Sequence, residues 1–193
     1  MKNEKTKAKL LLHSCCAPCL TSVYERLTST YDIVVYWYNP NIWPKAEHYK
    51  RLKELIRYCK AMNIQLLVGE YEYEDEQEYW QTLIAGFESE PEKGKRCDIC
   101  FSMRLEATAQ TAAFLNNTSG HQPFDLFASE LSVSPHKKAE TLNRLGLEIA
   151  ERTGIKYLTS DFKKNNGYKR SCELSKEHNL YRQSYCGCRY SKR

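Results

Sequence analysis

His13-Ser14-Cys15-Cys16-Ala17-Pro18-Cys19 is the stretch whose position decides the fold. The apolar run Leu10-Leu11-Leu12 precedes it and reads as a buried strand over residues 9–14. A periodic segment follows and reads as a helix over residues 18–29. Three cysteines therefore occupy the first strand-to-helix turn. In an open α/β sheet that turn lies at the carboxyl end of a strand, where ligands bind. A helix N-terminus stabilises thiolates, and thiolates are both metal ligands and nucleophiles.

Outward from this turn, strands and helices alternate. Residues 31–38 are β-branched and aromatic and read as a strand. The stretch 39–44 is a loop. Pro44 opens a helix whose stripe is Tyr49, Leu52, Leu55, Ile56, Cys59 and Met62. A third strand is expected over 64–68, a helix over 76–87, a polar loop over 88–96 and a helix over 97–115. A loop at 116–123 leads to a fourth strand over 124–129. Residues 132–138 form the next strand-to-helix turn, and a helix runs over 138–152. Gly154 ends it from the C′ position. Residues 155–159 are a fifth strand. The expectation is an α/β fold, a mostly parallel, open, Rossmann-like sheet with helices on both faces. Residues 1–193 read as one domain, with 161–193 an extension packed over the active face.

The chain has 193 residues and nine cysteines. That length buries a sizeable core without staples, so a metal or disulfide here serves chemistry more than stability. The segment 1–9 is charged and does not resemble a signal peptide. No stretch is long enough to span a membrane. A cytoplasmic location with reduced thiols is expected. The cysteines come in groups, at 15, 16 and 19, at 97 and 100, and at 186 and 188. Such grouping points to metal binding or redox work rather than disulfide stapling. Cys59 sits on the apolar stripe and reads as core, and Cys172 is assigned no role. The net charge of +5 is uneven: residues 70–93 hold nine acids and one base, and residues 161–193 hold nine bases and three acids. Lys163, Lys164, Lys169 and Arg170, interleaved with Tyr168, Tyr181, Tyr185 and Tyr190, suit a phosphate backbone with bases to stack on. A solvated helix and tail has the same composition.

Cys97-Asp98-Ile99-Cys100 is a C-x-x-C at a helix start. With the 15/16/19 turn it supplies enough thiols for an iron–sulfur cluster or tetrahedral zinc. Neighbouring side chains such as Cys15 and Cys16 are expected to diverge, which suits a larger cluster or two centres side by side. Five thiols and Asp98 exceed the four ligands of one cluster, favouring a cluster with a second metal. Cys16-Ala17-Pro18-Cys19 also matches a thioredoxin-type C-x-P-C. Cys186-Gly187-Cys188 can form a strained disulfide or bind metal. His13 is expected to orient the turn. His136 suits phosphate contact or plain surface. His48, His121 and His178 read as surface, and Trp43 as packing or a base-stacking ring. A thiol–disulfide oxidoreductase and a zinc-stapled RNA-binding module are the rival classes.

HSCCAPC after the first strand, CDICFSMRL, the SVSPHK turn and DFKKNNGYKRSCELSKEHNLYRQSYCGC together resemble the QueH-type epoxyqueuosine reductases, in order and over nearly the whole chain. The resemblance implies reduction of epoxyqueuosine to queuosine in the tRNA anticodon, the last step of queuosine synthesis. It implies a 4Fe-4S cluster beside a mononuclear iron, a tRNA substrate and an external electron donor. It implies an architecture like the adenine-nucleotide alpha-hydrolase superfamily. The CCAPC turn stands where that superfamily's ATP pyrophosphatases carry a Gly-rich phosphate loop, so no ATP use is expected. Carried over by residue, Cys15, Cys16, Cys97 and Cys100 are cluster candidates. Cys19 and Asp98 are candidates for the second metal, Asp98 also for a catalytic role. Cys186 and Cys188 match the family's C-terminal redox pair. Arg104 matches the helix after the C-x-x-C and is expected to face anionic substrate groups.

Overall fold

The structure is a computed structural model that describes residues 6–69, 72–118, 120 and 122–191. His121, named above from the sequence, lies outside the described residues. Five parallel strands, β1 (Ala8–His13), β2 (Tyr31–Trp37), β3 (Gln65–Val68), β4 (Leu126–Ser129) and β5 (Lys156–Tyr157), form one sheet in the order β3-β2-β1-β4-β5. Six α-helices are described: α1 (Ala17–Leu27), α2 (Lys45–Ala61), α3 (Tyr73–Leu83), α4 (Lys95–Thr118), α5 (Ala139–Thr153) and α6 (Gly167–Glu177). None of the described helices is long and apolar enough to cross a membrane.

β1 is covered on both faces, which is why its sequence is a continuous apolar run rather than an alternating one. Leu10 and Leu12 point to the side of α1 and α2, where they join Val23, Leu27, Val35, Leu55 and Cys59. Leu11 points to the other side, with Val34, Tyr36 and Ala112 of α4. On that second face α4 and α5 close over Phe127 through Phe101, Leu105, Leu142 and Ile149.

The strand order reverses at β1. β2 and β3 lie to one side, β4 and β5 to the other. The crevice beyond the carboxyl ends of β1 and β4 is therefore the topological switch point, the ligand position of such sheets. Register brings the two ends level: His13 pairs with Ser129, and His13 Nδ1 lies 2.9 Å from Ser129 Oγ. The turn at 14–16 and the short 3-10 turn Glu130–Val133 leave the sheet side by side.

Several boundaries differ from the sequence reading, three of them at β4, α3 and β5. β4 begins at Leu126 because the Asn116 side chain takes up both backbone groups of Phe124, at 2.7 and 2.9 Å. α3 begins at Tyr73, with Glu74, Asp75 and Glu76 in its first turn, where the helix dipole favours acids. β5 has only two residues, and the Asn143 side chain accepts the Ser160 amide just beyond it, at 2.9 Å.

His48 corrects the surface reading of that residue. It is 2% exposed and packs on Trp37, Tyr49 and Tyr73. Amphipathic spacing hid it, because a polar residue falls on the inner face of α2. Burial, helped by Arg51, lowers its pKa to about 4. The unfolded chain protonates this imidazole near pH 6.5 and the folded chain does not, so its contribution is complete above pH 6.5 and is lost as pH falls toward 4. His13, lowered to about 3 by burial and by Arg104, acts in the same direction. Denaturant unfolding of the metal-free protein should thus lose stability across this window, about 3 kcal/mol of it from His48. His48→Leu should make the loss shallower without abolishing it, and equal slopes for parent and variant would show that His48 titrates normally.

Candidate metal centre

The chain bends at Cys15 after the end of β1. The Ser14 amide donates to the Tyr36 carbonyl at 2.8 Å, and the Asn39 side-chain Nδ2 donates to the Ser14 carbonyl at 2.8 Å. Cys16 is the extended N-cap of α1, and Pro18 sits in the helix's first positions. Because of the bend, strand alternation no longer sends the neighbouring side chains apart. Cys15 Sγ and Cys16 Sγ lie 3.9 Å from each other, which corrects the expectation that these thiols diverge. Cys19 follows Cys16 by three residues and so shares its helix face. The sulfurs of Cys15, Cys16 and Cys19 and a carboxylate oxygen of Glu130 all lie within 4.8 Å of one another. Tetrahedral thiolate ligands about 2.3 Å from an ion stand about 3.8 Å from one another, so the three sulfurs are close enough to serve as metal ligands.

Glu130, fully buried, shapes the turn. Its Oε1 accepts the amides of Cys15 at 2.8 Å and Cys16 at 3.2 Å, and its Oε2 accepts the Ser14 hydroxyl at 2.8 Å. Burial and the neighbouring Cys15 push its carboxyl well above the usual range. Burial also opposes ionisation of Cys16, but hydrogen bonds from Cys15, Cys19 and Gln183 outweigh it and pull that thiol well below its ordinary value. The Gln183 side-chain amide donates to Cys16 Sγ at 3.0 Å. Hydrogen bonding to Cys15 and Cys16, with burial, pushes Cys19 up. Of Cys16 and Cys19, Cys16 is the thiol held toward the thiolate.

A second group of thiols adjoins the first. Cys97 packs against the core cluster that contains Cys15 and Cys16. Cys97, Cys100, Cys186 and Cys188 line one pocket, together with Asn41, Asp98, Arg96, Arg104, His136 and Lys137. Cys97 and Cys100 are three residues apart in the first turns of α4. Arg104, one turn further, donates to the Cys100 carbonyl at 3.0 Å and to Cys100 Sγ at 3.2 Å. Burial raises the Cys100 thiol to about 12, against the pull of Arg104. Arg96 and Arg104 are each 3% exposed, and neither is ion-paired to a carboxylate among the described residues. Arg96 donates to the carbonyls of Phe87, Glu88 and Glu90, whereas Arg104 is turned onto Cys100. Half-buried Lys137 stands between the two groups. Burial works against its charge, yet the thiols of Cys15, Cys186 and Cys19 outweigh that effect and push it up.

The C-terminal segment is strapped to this pocket. α6 packs on α1. Beyond it, Arg51 Nη1 and Nη2 donate to the carbonyls of Cys186 and Tyr185, both at 3.2 Å, while its Nε pairs with Glu47 at 2.7 Å. The Trp43 amide donates to the Gly187 carbonyl at 2.8 Å. All nine cysteines are free thiols in this structure. The other sequence candidates divide. Asp98 lines the pocket but its side chain is 42% exposed and 3.9 Å from Arg144. Lys164 and Lys169 are exposed and Lys163 pairs with Asp161. Arg170 is held by Glu25, Glu173 and Glu177. Cys59 is core, its thiol raised by burial to about 12. Glu130, Arg51, Asn41 and Gln183 were not singled out from the sequence. The signal for Glu130 was an acid at the end of an apolar strand, Phe127-Ala128-Ser129-Glu130.

These features define a class: a parallel α/β protein whose switch-point crevice is built from thiols. A family model described as Epoxyqueuosine reductase QueH matches residues 10–193. The proteins named Epoxyqueuosine reductase QueH from Streptococcus pyogenes serotype M1 and Staphylococcus epidermidis are 42% and 41% identical to the chain. The alignments cover 98% and 97% of it, and 72% and 77% of those proteins. The chain belongs to the epoxyqueuosine reductase QueH family. Among solved structures, the U34-tRNA thiolase NcsA from Methanococcus maripaludis, with its 4Fe-4S cluster, is similar in fold, with a TM-score of 0.59 at 12% identity over 98% of this chain and 63% of that one. A predicted subunit of tRNA methyltransferase from Methanocaldococcus jannaschii has a TM-score of 0.53 at 14% identity over 88% of this chain and 75% of that one.

Gly187 sits at φ +108°, and a Cβ there would lie 3.0 Å from Ile42 Cγ1 and 3.1 Å from Arg51 Nη1. Gly187→Ala should therefore lift the C-x-C off Arg51, at a cost of about 1–3 kcal/mol. Alkylation of buried Cys188 should accelerate while Cys59 stays protected. Unchanged labelling of Cys188 would show that the strap tolerates a side chain.

Proposed function

We propose that this protein reduces epoxyqueuosine to queuosine at the tRNA wobble position, as an oxidoreductase of the cytoplasm. The observation that carries the reading is the gathering of seven thiols at the switch-point crevice of a chain that matches one reductase family over nearly its whole length. The overall change converts an epoxide, two electrons and two protons into an alkene and water.

The donor set fits an iron centre. Three thiols converge within 4.8 Å, a C-x-x-C adjoins them, and two buried guanidiniums without carboxylate partners match a negatively charged group. Cys15, Cys16, Cys97 and Cys100 would hold a 4Fe-4S cluster, and Cys19 and Asp98 a mononuclear iron. Bound there, such a centre supplies a Lewis acid for the epoxide oxygen and electrons one at a time. The chain's own residues do the rest. Arg104 steadies the Cys100 sulfur. Lys137 brings an ammonium between the thiol groups, where it can hold a proton near the departing oxygen. Trp80, Phe101 and the strap wall the pocket against water. Cys186 and Cys188 form the redox pair that takes electrons from an external donor.

On the RNA side, Lys163, Lys164 and Lys169 contact phosphates and the unstacked anticodon loop enters the crevice. Arg170 belongs to this set by sequence, but its carboxylate partners hold it on the protein.

Anaerobic purification tests the reading directly. Brown protein with iron and acid-labile sulfide, active on epoxyqueuosine-containing tRNA, is the expected result. Colourless protein with stoichiometric zinc, or metal-free protein with a titratable thiol pair, would overturn it. Cys97→Ala and Cys100→Ala should lose iron and turnover while keeping the fold. Cys59→Ala should keep its iron at a packing cost of about 1–3 kcal/mol. Charge reversal at Lys164 and Lys169 should weaken tRNA binding and lower the salt slope by about one per lost phosphate contact, whereas Arg170→Ala should move it little. A full slope in the lysine variant would put the RNA elsewhere.

A further inference from the structure

We propose that Glu130 is a tethered carboxylate seated in the anion-binding position at the head of α1, and that it positions Cys15 and Cys16 for metal rather than ligating it. The inference rests on reading the cysteine turn as a metal site. In parallel α/β folds, the amides of the first strand-to-helix turn bind phosphate oxygens, because they point away from the sheet and have no partners of their own. The amides of Cys15 and Cys16 are in that position here, and Cys16, as N-cap, provides no side-chain acceptor for them. The acceptor is Glu130 Oε1, which takes both amides, at 2.8 and 3.2 Å, while Oε2 takes the Ser14 hydroxyl at 2.8 Å.

A carboxylate has about four acceptor directions, and three of these are occupied by the turn itself. The Cys15 amide lies at the distance of a charge-assisted hydrogen bond, 2.8 Å, and the Cys16 amide at the longer 3.2 Å. Nothing in the turn's own sequence bends it this way, since it contains no glycine. The bend comes from β4: the level pairing of His13 with Ser129 delivers Glu130 directly beside Ser14. The same carboxylate fills the place an incoming phosphate would take. A turn gripped in this manner presents sulfur on one side and has its amides closed on the other.

Scaffold and ligand roles give different results for Glu130→Gln. The glutamine oxygen can accept both amides and its NH2 can donate to Ser14 Oγ, so a scaffold survives the change and a carboxylate ligand does not. Iron uptake would be measured anaerobically on the full chain supplied with ferrous iron and sulfide, with and without sodium formate. Glu130→Gln should keep the parent's iron stoichiometry. Glu130→Ala should weaken iron binding by about tenfold or more, the worth of one charge-assisted hydrogen bond, and formate should restore most of it while leaving the parent unchanged. In metal-free protein, alkylation of Cys15 and Cys16 should quicken in Glu130→Ala and slow again with formate. Iron loss in the glutamine variant equal to that in the alanine variant would make Glu130 a ligand. Full iron binding by the alanine variant, or no rescue of either readout by formate, would remove the positioning role. A parent chain that takes up no iron would sink the metal reading instead, and the alkylation arm would still decide whether Glu130 holds the turn. If Glu130→Ala does not fold, the glutamine variant decides alone.

Discussion

The parallel pairing of β1 with β4, in which His13 and Ser129 end level, is the constraint on which the remaining geometry depends. A parallel sheet whose order reverses at its first strand leaves a crevice at that strand's carboxyl end. Two loops then leave the sheet together. One carries three thiols, the other a buried carboxylate that bonds the first loop's backbone. A one-residue slip in this register would reverse the faces of β4 and take Phe127 out of its packing with α4 and α5.

Electrostatic compensation organises the next layer. The pocket holds two buried guanidiniums and a half-buried ammonium, and no described carboxylate is paired with either guanidinium. Arg96 donates instead to the carbonyls of Phe87, Glu88 and Glu90, and Arg104 to the carbonyl and sulfur of Cys100. Arg104 pulls against the burial that raises Cys100, yet burial prevails there as it does at Cys59 in the apolar core.

The C-terminal segment completes the site from outside the sheet. It has little regular structure of its own, and its course is set by side chains far away in sequence. Arg51 on α2 grips two of its carbonyls, the Trp43 amide takes a third, and Gln183 reaches Cys16. An arginine spent on backbone carbonyls is rigid and desolvated, so the thiols of the C-x-C are held at a defined place rather than trailing in solvent.

How much was legible in the sequence follows from the range of the interactions. The alternation of strands and helices, the thiol-bearing turn after β1, the C-x-x-C at a helix start and the core role of Cys59 were readable, because periodicity and cysteine spacing are local properties. The family was readable from motifs in order along the chain. Tertiary structure alone decided the rest. Strand order brought Glu130 to the cysteine turn from more than a hundred residues away. The bend at Cys15 let two adjacent sulfurs converge. Burial made His48 a core residue on a helix whose polar spacing suggested otherwise, and carboxylates from α1 and α6 absorbed Arg170. Each of these outcomes depends on which distant groups meet, and chain-local pattern carries no record of that.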